Sequence, residues 1–155
     1  LSHMPEKAVY QALDHFEGKH VIASHSNPQR ITPTDRHLPD RAIEQLAARG
    51  GVMGVVLFNA FLKHDWTRGK KHEVTLDHVL RCVDHVCQLT GNAEHVGIGS
   101  DFDGGFGRTG IPNELDSIRD LHKISDVLVQ HGYTQLDIDN IMGGNWLRVL
   151  RSALK

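Results

Sequence analysis

The chain alternates between short continuous apolar runs and longer segments in which apolar residues recur every three or four positions. The continuous runs predict buried strands at 21–24, 52–58 and 96–99, because such runs suit a parallel sheet covered on both faces. The recurring pattern predicts amphipathic helices at 5–16, 39–49, 75–89, 118–131 and 136–154. We expect the last helix to be interrupted near Gly143 and Gly144, since adjacent glycines weaken a helix.

Strands that alternate with helices predict βαβ units and therefore an α/β domain with a parallel sheet. The segments that follow the predicted strands are long, at 26–38, 59–74 and 100–117, whereas those that precede them are short. In parallel α/β enzymes the chemistry lies in the loops at the carboxyl ends of the strands. We therefore interpret residues 1–155 as a single domain whose site lies along that edge.

Composition excludes several classes of function. The chain has 155 residues, with 17 Lys and Arg against 19 Asp and Glu, so its formal net charge of −2 gives no electrostatic footprint for nucleic acid. No apolar run approaches the roughly 20 residues of a membrane helix. Cys82 and Cys87 fall on different faces of one predicted helix and cannot easily pair. With no visible signal peptide, we expect unpaired thiols in the cytoplasm, although any export signal would precede residue 1.

Histidine is abundant, with 12 copies, and two of them are candidate metal ligands. His25 follows a predicted strand, and this position favours a ligand over a ring that only hydrogen-bonds within its loop. His3 lies in Leu-Ser-His-Met, which is either the remnant of a cleaved tag or the tail of a further strand. Two neutral imidazoles from adjacent strands, with a carboxylate and a water, suit a catalytic zinc.

Two charged residues complete the candidate site. Asp101 ends the third predicted strand and is a candidate general base, whereas Asp103 precedes two glycines and suits a turn. Arg36 either pairs with Asp35 or Asp40, or grips a substrate carboxylate in two-point fashion. The polar segment 64–72 is a candidate lid, which the sequence leaves open.

Six stretches resemble, in order and spacing, the carboxyl-terminal portion of the membrane dipeptidase (renal dipeptidase) family of zinc metallopeptidases. They are Leu-Ser-His-Met at 1–4, Val-Ile-Ala-Ser-His-Ser-Asn at 21–27, Asp-Arg-His-Leu-Pro-Asp at 35–40, Gly-Gly-Val-Met-Gly-Val at 50–55, His-Val-Gly-Ile-Gly-Ser-Asp-Phe-Asp-Gly at 95–104 and Gly-Gly-Asn-Trp-Leu-Arg-Val at 143–149. They cover essentially the whole chain, and the match at 1–4 favours reading His3 as part of the protein.

The resemblance implies a (β/α)₈ TIM-type barrel of the metal-dependent hydrolase kind, of which this chain would supply the carboxyl-terminal half, about four βα units. It also implies a two-zinc site that hydrolyses dipeptides through a metal-bridging hydroxide. In that site His3 and His25 would bind one zinc, Arg36 would hold the free carboxyl terminus of the substrate, and Asp101 would act on the bridging water.

Part of the family's site has no counterpart in residues 1–155. The His-x-Asp pair, the bridging glutamate and the histidine that polarises the scissile carbonyl are all missing, so this chain would ligate at most one zinc. Either the missing amino-terminal half of the barrel lies elsewhere, or the chain is a half-barrel that is non-catalytic alone and acts as a subunit, a homo-oligomer or a peptide- or metal-binding module. A related amidohydrolase is a third reading, which Arg36 disfavours.

Overall fold

The computed structural model describes residues 1–154. Helices and strands alternate as the hydrophobic pattern predicts. They are α1 (Glu6–His15), β1 (Ile22–Ala23), α2 (Asp40–Ala48), β2 (Val52–Val55), α3 (Asn59–Leu62), α4 (Leu76–Thr90), β3 (Val96–Ile98), α5 (His122–Gln130), α6 (Gln135–Asp139) and α7 (Asn145–Ala153). A π-helical segment, Asn140–Gly144, joins α6 to α7 and confirms the predicted interruption.

The three strands form one parallel sheet in the order β1-β2-β3. Ile22 pairs with Val52, and Met53 pairs with Val96, which sets the register across the sheet. The prediction of a parallel α/β fold is confirmed. The predicted strand tail at 1–3 is wrong, because these residues form a turn in which His3 has a φ of 64°. A left-handed residue cannot continue an extended strand.

One face of the sheet packs against the helices and forms the main core. Side chains alternate between the two faces of a strand, so Ala23, Met53, Val55 and Val96 share this helix face. All four are fully buried, in one cluster with residues of α1, α2 and α4. Burial of this apolar surface, at roughly 25 cal/mol per Å², is the main force that holds the helices on the sheet.

The opposite face, which we call the glycine face, carries Ile22, Val52, Gly54 and Gly97. A Cβ at Gly97 would collide with the indole of Trp146, which shows that α7 lies against this face. Trp146 donates its indole N–H to the Ile98 carbonyl oxygen at 3.1 Å, which fixes the ring there. The absence of side chains at the two glycines therefore makes room for α7.

The prediction that β1 is buried on both faces is wrong at Ile22, whose side chain is 38% exposed. The reason is positional, because α7 contacts β2 and β3 and leaves the glycine face of the edge strand β1 uncovered. Val21 and Ala23 are buried as predicted.

The remaining differences concern helix ends and loops. The predicted helix at 118–131 begins with a 3₁₀ turn, Ile118–Leu121, and continues as α5. The segment 59–74, predicted as loop, contains α3 and the 3₁₀ turn Lys71–Glu73. Both cysteines are unpaired, as predicted. Within residues 1–154 no helix combines the length and apolar character needed to cross a bilayer.

Candidate metal and substrate site

His3 and His25 meet at the carboxyl end of β1. Their Nε2 atoms lie 2.8 Å apart, and the two rings are arranged edge to face with centroids 4.8 Å apart. The turn at residues 1–4 and the end of β1 thus bring together two histidines that are 22 positions apart in sequence. The sequence prediction that these residues share a site agrees with this geometry.

Two serine side chains hold His25 in place. The Ser24 hydroxyl lies 2.9 Å from Nδ1 of His25, and the backbone N–H of His25 donates to the Ser2 hydroxyl at 3.0 Å. A partner on Nδ1 fixes the orientation of the ring and leaves Nε2 for another ligand. Burial lowers the pKa of His25, against the opposing effect of Asp101, and so favours the neutral imidazole that can bind a metal.

The histidine pair fits half of a zinc site. Two nitrogens bound to one tetrahedral zinc at about 2.0–2.1 Å lie about 3.3 Å apart. The two Nε2 atoms lie at a hydrogen-bond distance of 2.8 Å, so a small separation of the rings would admit the ion. A zinc site needs at least three protein ligands, however. Residues 1–154 contain no cluster of three or more His, Cys, Asp or Glu side chains able to hold a metal. Within residues 1–154 the two histidines therefore do not make a complete zinc site.

Arg36 approaches the same point from the loop that follows β1. It donates from Nη2 to the His25 carbonyl oxygen at 3.0 Å, and its guanidinium lies 5.5 Å from the centre of the Phe61 ring. Its Nη1 is buried and has no hydrogen-bond partner within the described residues. The alternative of an ion pair with Asp40 is not observed, since Asp40 instead contacts His85 at 2.7 Å. Arg36 thus keeps donors free for an anionic ligand.

Asp101 follows β3 and faces the histidines and Arg36. Its φ of 54° is left-handed, a conformation that costs energy for a non-glycine residue and that often marks functional sites. The turn it opens is closed by a hydrogen bond from the Gly104 N–H to the Asp101 carbonyl oxygen at 2.8 Å. Burial lowers the pKa of Arg36, and the negative charge of Asp101 acts in the opposite direction. The Asp101 carboxylate is therefore near enough to influence both His25 and Arg36 electrostatically.

His3, Arg36 and Asp101 line one cavity of about 290 Å³. Phe58, Phe61 and Phe106 form its apolar wall, with Phe58 stacked on Phe106 at a centroid distance of 4.8 Å. Sequence reasoning missed these phenylalanines because they belong to three different segments, each with an ordinary apolar pattern. It also missed Arg68, which lines the same cavity.

Two buried residues behind the cavity, Asn27 and His37, support the loop that carries Arg36. The Asn27 side chain accepts from the Val56 N–H at 3.0 Å and donates to the carbonyl oxygens of Val56 and Phe61, at 3.2 and 2.9 Å. The Asn27 N–H donates to Nδ1 of His37 at 3.2 Å. Burial, and then the charge of Arg36, lowers the pKa of His37 to about 4. His37 is therefore neutral near pH 7.

The segment 59–74 is attached to the loop after β3 along much of its length. The buried Asn59 side chain donates to the Ile111 carbonyl oxygen at 3.0 Å, and Lys71 pairs with Asp116 at 2.9 Å. The exposed tip at 67–70 is closed by a hydrogen bond from the Trp66 indole to the Lys70 carbonyl oxygen at 2.8 Å. These contacts attach both ends of the segment, at Asn59 and Lys71, to the loop after β3.

Comparisons with known proteins agree with this fold. A family model described as membrane dipeptidase (peptidase family M19) matches residues 1–155. An uncharacterized protein from the pqqA 5' region of Klebsiella pneumoniae is 36% identical over 99% of this chain and 54% of its own length. The dipeptidase tcpJ of Claviceps purpurea is 34% identical over 99% of this chain and 34% of its own length.

A solved structure is similar as well. The metallo peptidase of Rhodobacter sphaeroides, liganded with a phosphinate mimic of the dipeptide L-Ala-D-Ala, superposes with a TM-score of 0.85 at 30% identity. The match covers 97% of this chain and 41% of that one. The chain thus spans about half, or less, of the length of the proteins it matches. The family model, the sequence relatives and the fold converge, and the chain belongs to the membrane dipeptidase family, peptidase family M19.

Proposed function

We propose that this chain is the carboxyl-terminal half of a zinc-dependent dipeptidase, and that it supplies two ligands of one zinc together with the carboxylate grip for the substrate. The observation that carries the proposal is the approach of the His25 Nε2 atom to that of His3, which lines one cavity with Arg36 and Asp101. Family membership and the likeness to a peptidase that holds a dipeptide mimic support the same reading.

The two histidines would each use Nε2, since Ser24 occupies Nδ1 of His25. Zinc, when bound, supplies Lewis-acid polarisation of the peptide carbonyl and a water of lowered pKa. The geometry of this chain accounts for two protein ligands of one ion, in line with the expectation that at most one zinc is ligated here. The remaining ligands belong to the missing amino-terminal half in this proposal.

Arg36 would select short substrates. Its planar guanidinium, in which Nη1 has no hydrogen-bond partner within the described residues, suits a carboxylate. Its hydrogen bond to the His25 carbonyl oxygen fixes the guanidinium next to a proposed metal ligand. A carboxylate held there places the adjoining peptide bond close to the histidines. A substrate longer by several residues would put its carboxylate out of reach. Arg36 would therefore restrict the length of the substrate.

Asp101 would accept the proton of the attacking water as a general base. A positioned carboxylate contributes typically 10²–10⁴-fold as a general base. Its left-handed backbone fixes the carboxylate at the end of β3, on the edge of the sheet where the histidines also lie. The remaining member of the site, the group that would polarise the carbonyl from the other side, is not among residues 1–154.

A half-barrel also accounts for features that an isolated domain does not explain. The edge strand β1 exposes Ile22 on the glycine face, where further barrel strands would cover it. The alternative, a half-barrel that is non-catalytic and only binds a peptide or a metal, rests on the lack of a third metal ligand among the described residues. The two readings differ in whether a completed site hydrolyses dipeptides.

The test uses the zinc-loaded protein that contains this chain, with Ala-Ala and Ala-Ala-amide as matched substrates. We expect hydrolysis of the free dipeptide and a loss of at least about tenfold in kcat/KM for the amide, since Arg36 then lacks its carboxylate. Equal turnover of the two would contradict the dipeptidase proposal and favour a general amidohydrolase. No turnover of either would favour the non-catalytic module.

A further inference from the structure

We infer that Arg68 is a specificity-determining residue that favours dipeptides whose carboxyl-terminal residue has an acidic side chain. This inference rests on the proposed function and names the substrate class of the same site. Arg68 lines the cavity of about 290 Å³ together with Arg36 and Asp101. The cavity thus presents two guanidinium groups and a single carboxylate.

Arg68 differs from the other cations of its segment. Lys63 and Lys70 both pair with Glu73, at 2.7 and 3.2 Å, and Lys71 pairs with Asp116 at 2.9 Å. Arg68 has no carboxylate partner within residues 1–154. The segment therefore satisfies the charge of every lysine it contains and leaves one arginine, on the cavity rim, without a counterion.

The backbone on both sides of Arg68 is held by contacts of the neighbouring residues. Arg68 lies at the exposed tip at 67–70, next to Gly69, whose φ of 96° allows the tight turn. The Trp66 indole closes this tip through its bond to the Lys70 carbonyl oxygen, and the Trp66 ring packs edge to face on Phe58 at 6.0 Å. Phe58 belongs to the cavity wall, so the tip is anchored to the cavity.

Charge balance identifies the ligand. In the proposed function Arg36 holds the terminal carboxylate and Asp101 faces the reacting water, which leaves Arg68 as the cation of the cavity without an assigned partner. A second carboxylate, on the side chain of the residue whose terminal carboxylate Arg36 holds, is the ligand group that we assign to Arg68. Arginine binds carboxylates in two-point geometry, and Phe58 and Phe106 can contact the methylene groups between the two acids.

The test compares isosteric substrates in the zinc-loaded protein that contains this chain. Ala-Glu and Ala-Gln are assayed with the carboxyl-terminal residue in both the L and the D configuration. We expect kcat/KM to favour Glu over Gln by about fivefold, the effect of a partly exposed ion pair. Arg68→Gln removes this preference. Arg68→Glu reverses it and favours Ala-Lys over Ala-Gln, a gain that simple structural damage would not produce.

Arg81→Gln serves as the matched control, because Arg81 is an exposed arginine on α4. It keeps the Glu preference. The inference would be overturned by a ratio of kcat/KM for Ala-Glu over Ala-Gln near one in the unaltered protein. It would also be overturned if that ratio survived Arg68→Gln, or if this variant lost activity equally on all dipeptides. These results leave dipeptide hydrolysis itself intact, whereas an unaltered protein that hydrolyses no dipeptide refutes the proposed function instead.

Discussion

At the scale of single residues, the site depends on unusual backbone positions and on buried polar contacts. His3 and Asp101 both have left-handed φ angles, of 64° and 54°. A non-glycine residue pays of order 1–3 kcal/mol for such a conformation, which the surrounding structure must offset. For Asp101 the surrounding contact is the turn to Gly104, and for His3 it is the pairing with His25. Two of the three left-handed non-glycine residues among the described residues thus belong to the proposed site, and the third, Asp65, lies in the exposed segment 64–72.

Asp101→Asn tests the role of the carboxylate with little change of shape. Asparagine tolerates the left-handed backbone, so the fold should be kept. We expect kcat for dipeptide hydrolysis to fall by at least about 10²-fold, the lower range of a general base. The measurement is steady-state kinetics in the complete zinc-loaded enzyme, with zinc content determined alongside. Turnover within a factor of two of the parent would remove Asp101 from the mechanism.

His37 makes stability depend on pH in the acid range. Its pKa is about 4 in the folded chain, against 6.5 when unfolded, because burial and Arg36 disfavour its charged form. Between these values the unfolded chain binds the proton first, so the free energy of unfolding falls as pH drops from 6.5 to 4, by up to about 3 kcal/mol. Above pH 6.5 this contribution is fully present.

Urea unfolding at a series of pH values measures this effect. His37→Asn is the matched variant, since an amide oxygen can still accept from the Asn27 N–H but does not titrate. We expect the variant to lose less stability than the parent between pH 6.5 and 4. The same pH slope in both proteins would show that His37 does not titrate with folding.

At the scale of elements, the glycine face decides how α7 meets the sheet. A Cβ at Gly97 would meet only the Trp146 side chain, whereas one at Gly54 would collide with the backbone oxygen of Ser24 and lie 2.9 Å from the Trp146 ring. A side chain can move aside, but a backbone oxygen in a sheet moves only with its strand. A smaller side chain at position 146 can therefore compensate for a Cβ added at Gly97, but not for one added at Gly54.

A pair of variants tests this difference. Gly97→Ala and Gly54→Ala should each lower the free energy of unfolding by about 1–3 kcal/mol through overpacking. Adding Trp146→Phe should recover part of the loss for Gly97→Ala, because the smaller ring leaves room, and should not recover it for Gly54→Ala. Urea midpoints of the single and double variants measure the coupling. Equal recovery at both positions would contradict the packing described for α7.

Element type and order could be read from the sequence because burial imposes a period on each element. Thr75 precedes α4 as predicted, and Nδ1 of His78 accepts from its backbone N–H at 3.2 Å. The turn at 1–3 could not be read in this way, since Leu-Ser-His fits a strand end and a turn equally. Ile22 also escaped prediction, because its exposure depends on how far α7 extends across the sheet.

At the scale of the whole molecule, the proposed site offers two candidate ligands, whereas a zinc needs at least three. We expect the 155-residue chain alone to bind at most one zinc per chain, and weakly, since His3 and His25 form a single pair. Equilibrium dialysis followed by metal analysis gives the stoichiometry. His25→Ala should abolish the binding, whereas His72→Ala, at an exposed histidine, should not. Two zinc ions per chain, retained in His25→Ala, would contradict the site.

The sequence by itself determined the class of fold, the order of helices and strands, and the candidate residues His3, His25, Arg36 and Asp101, because periodic burial and strand-end polar residues are local features of the chain. Only the tertiary structure decided which groups meet. Distant segments meet at four places: the paired Nε2 atoms of the two histidines, the hydrogen bond between Asn27 and His37, the wall of phenylalanines, and Arg68 at the cavity. No local pattern specifies such contacts, since they follow from the register of the sheet and the packing of α7 and the loops upon it.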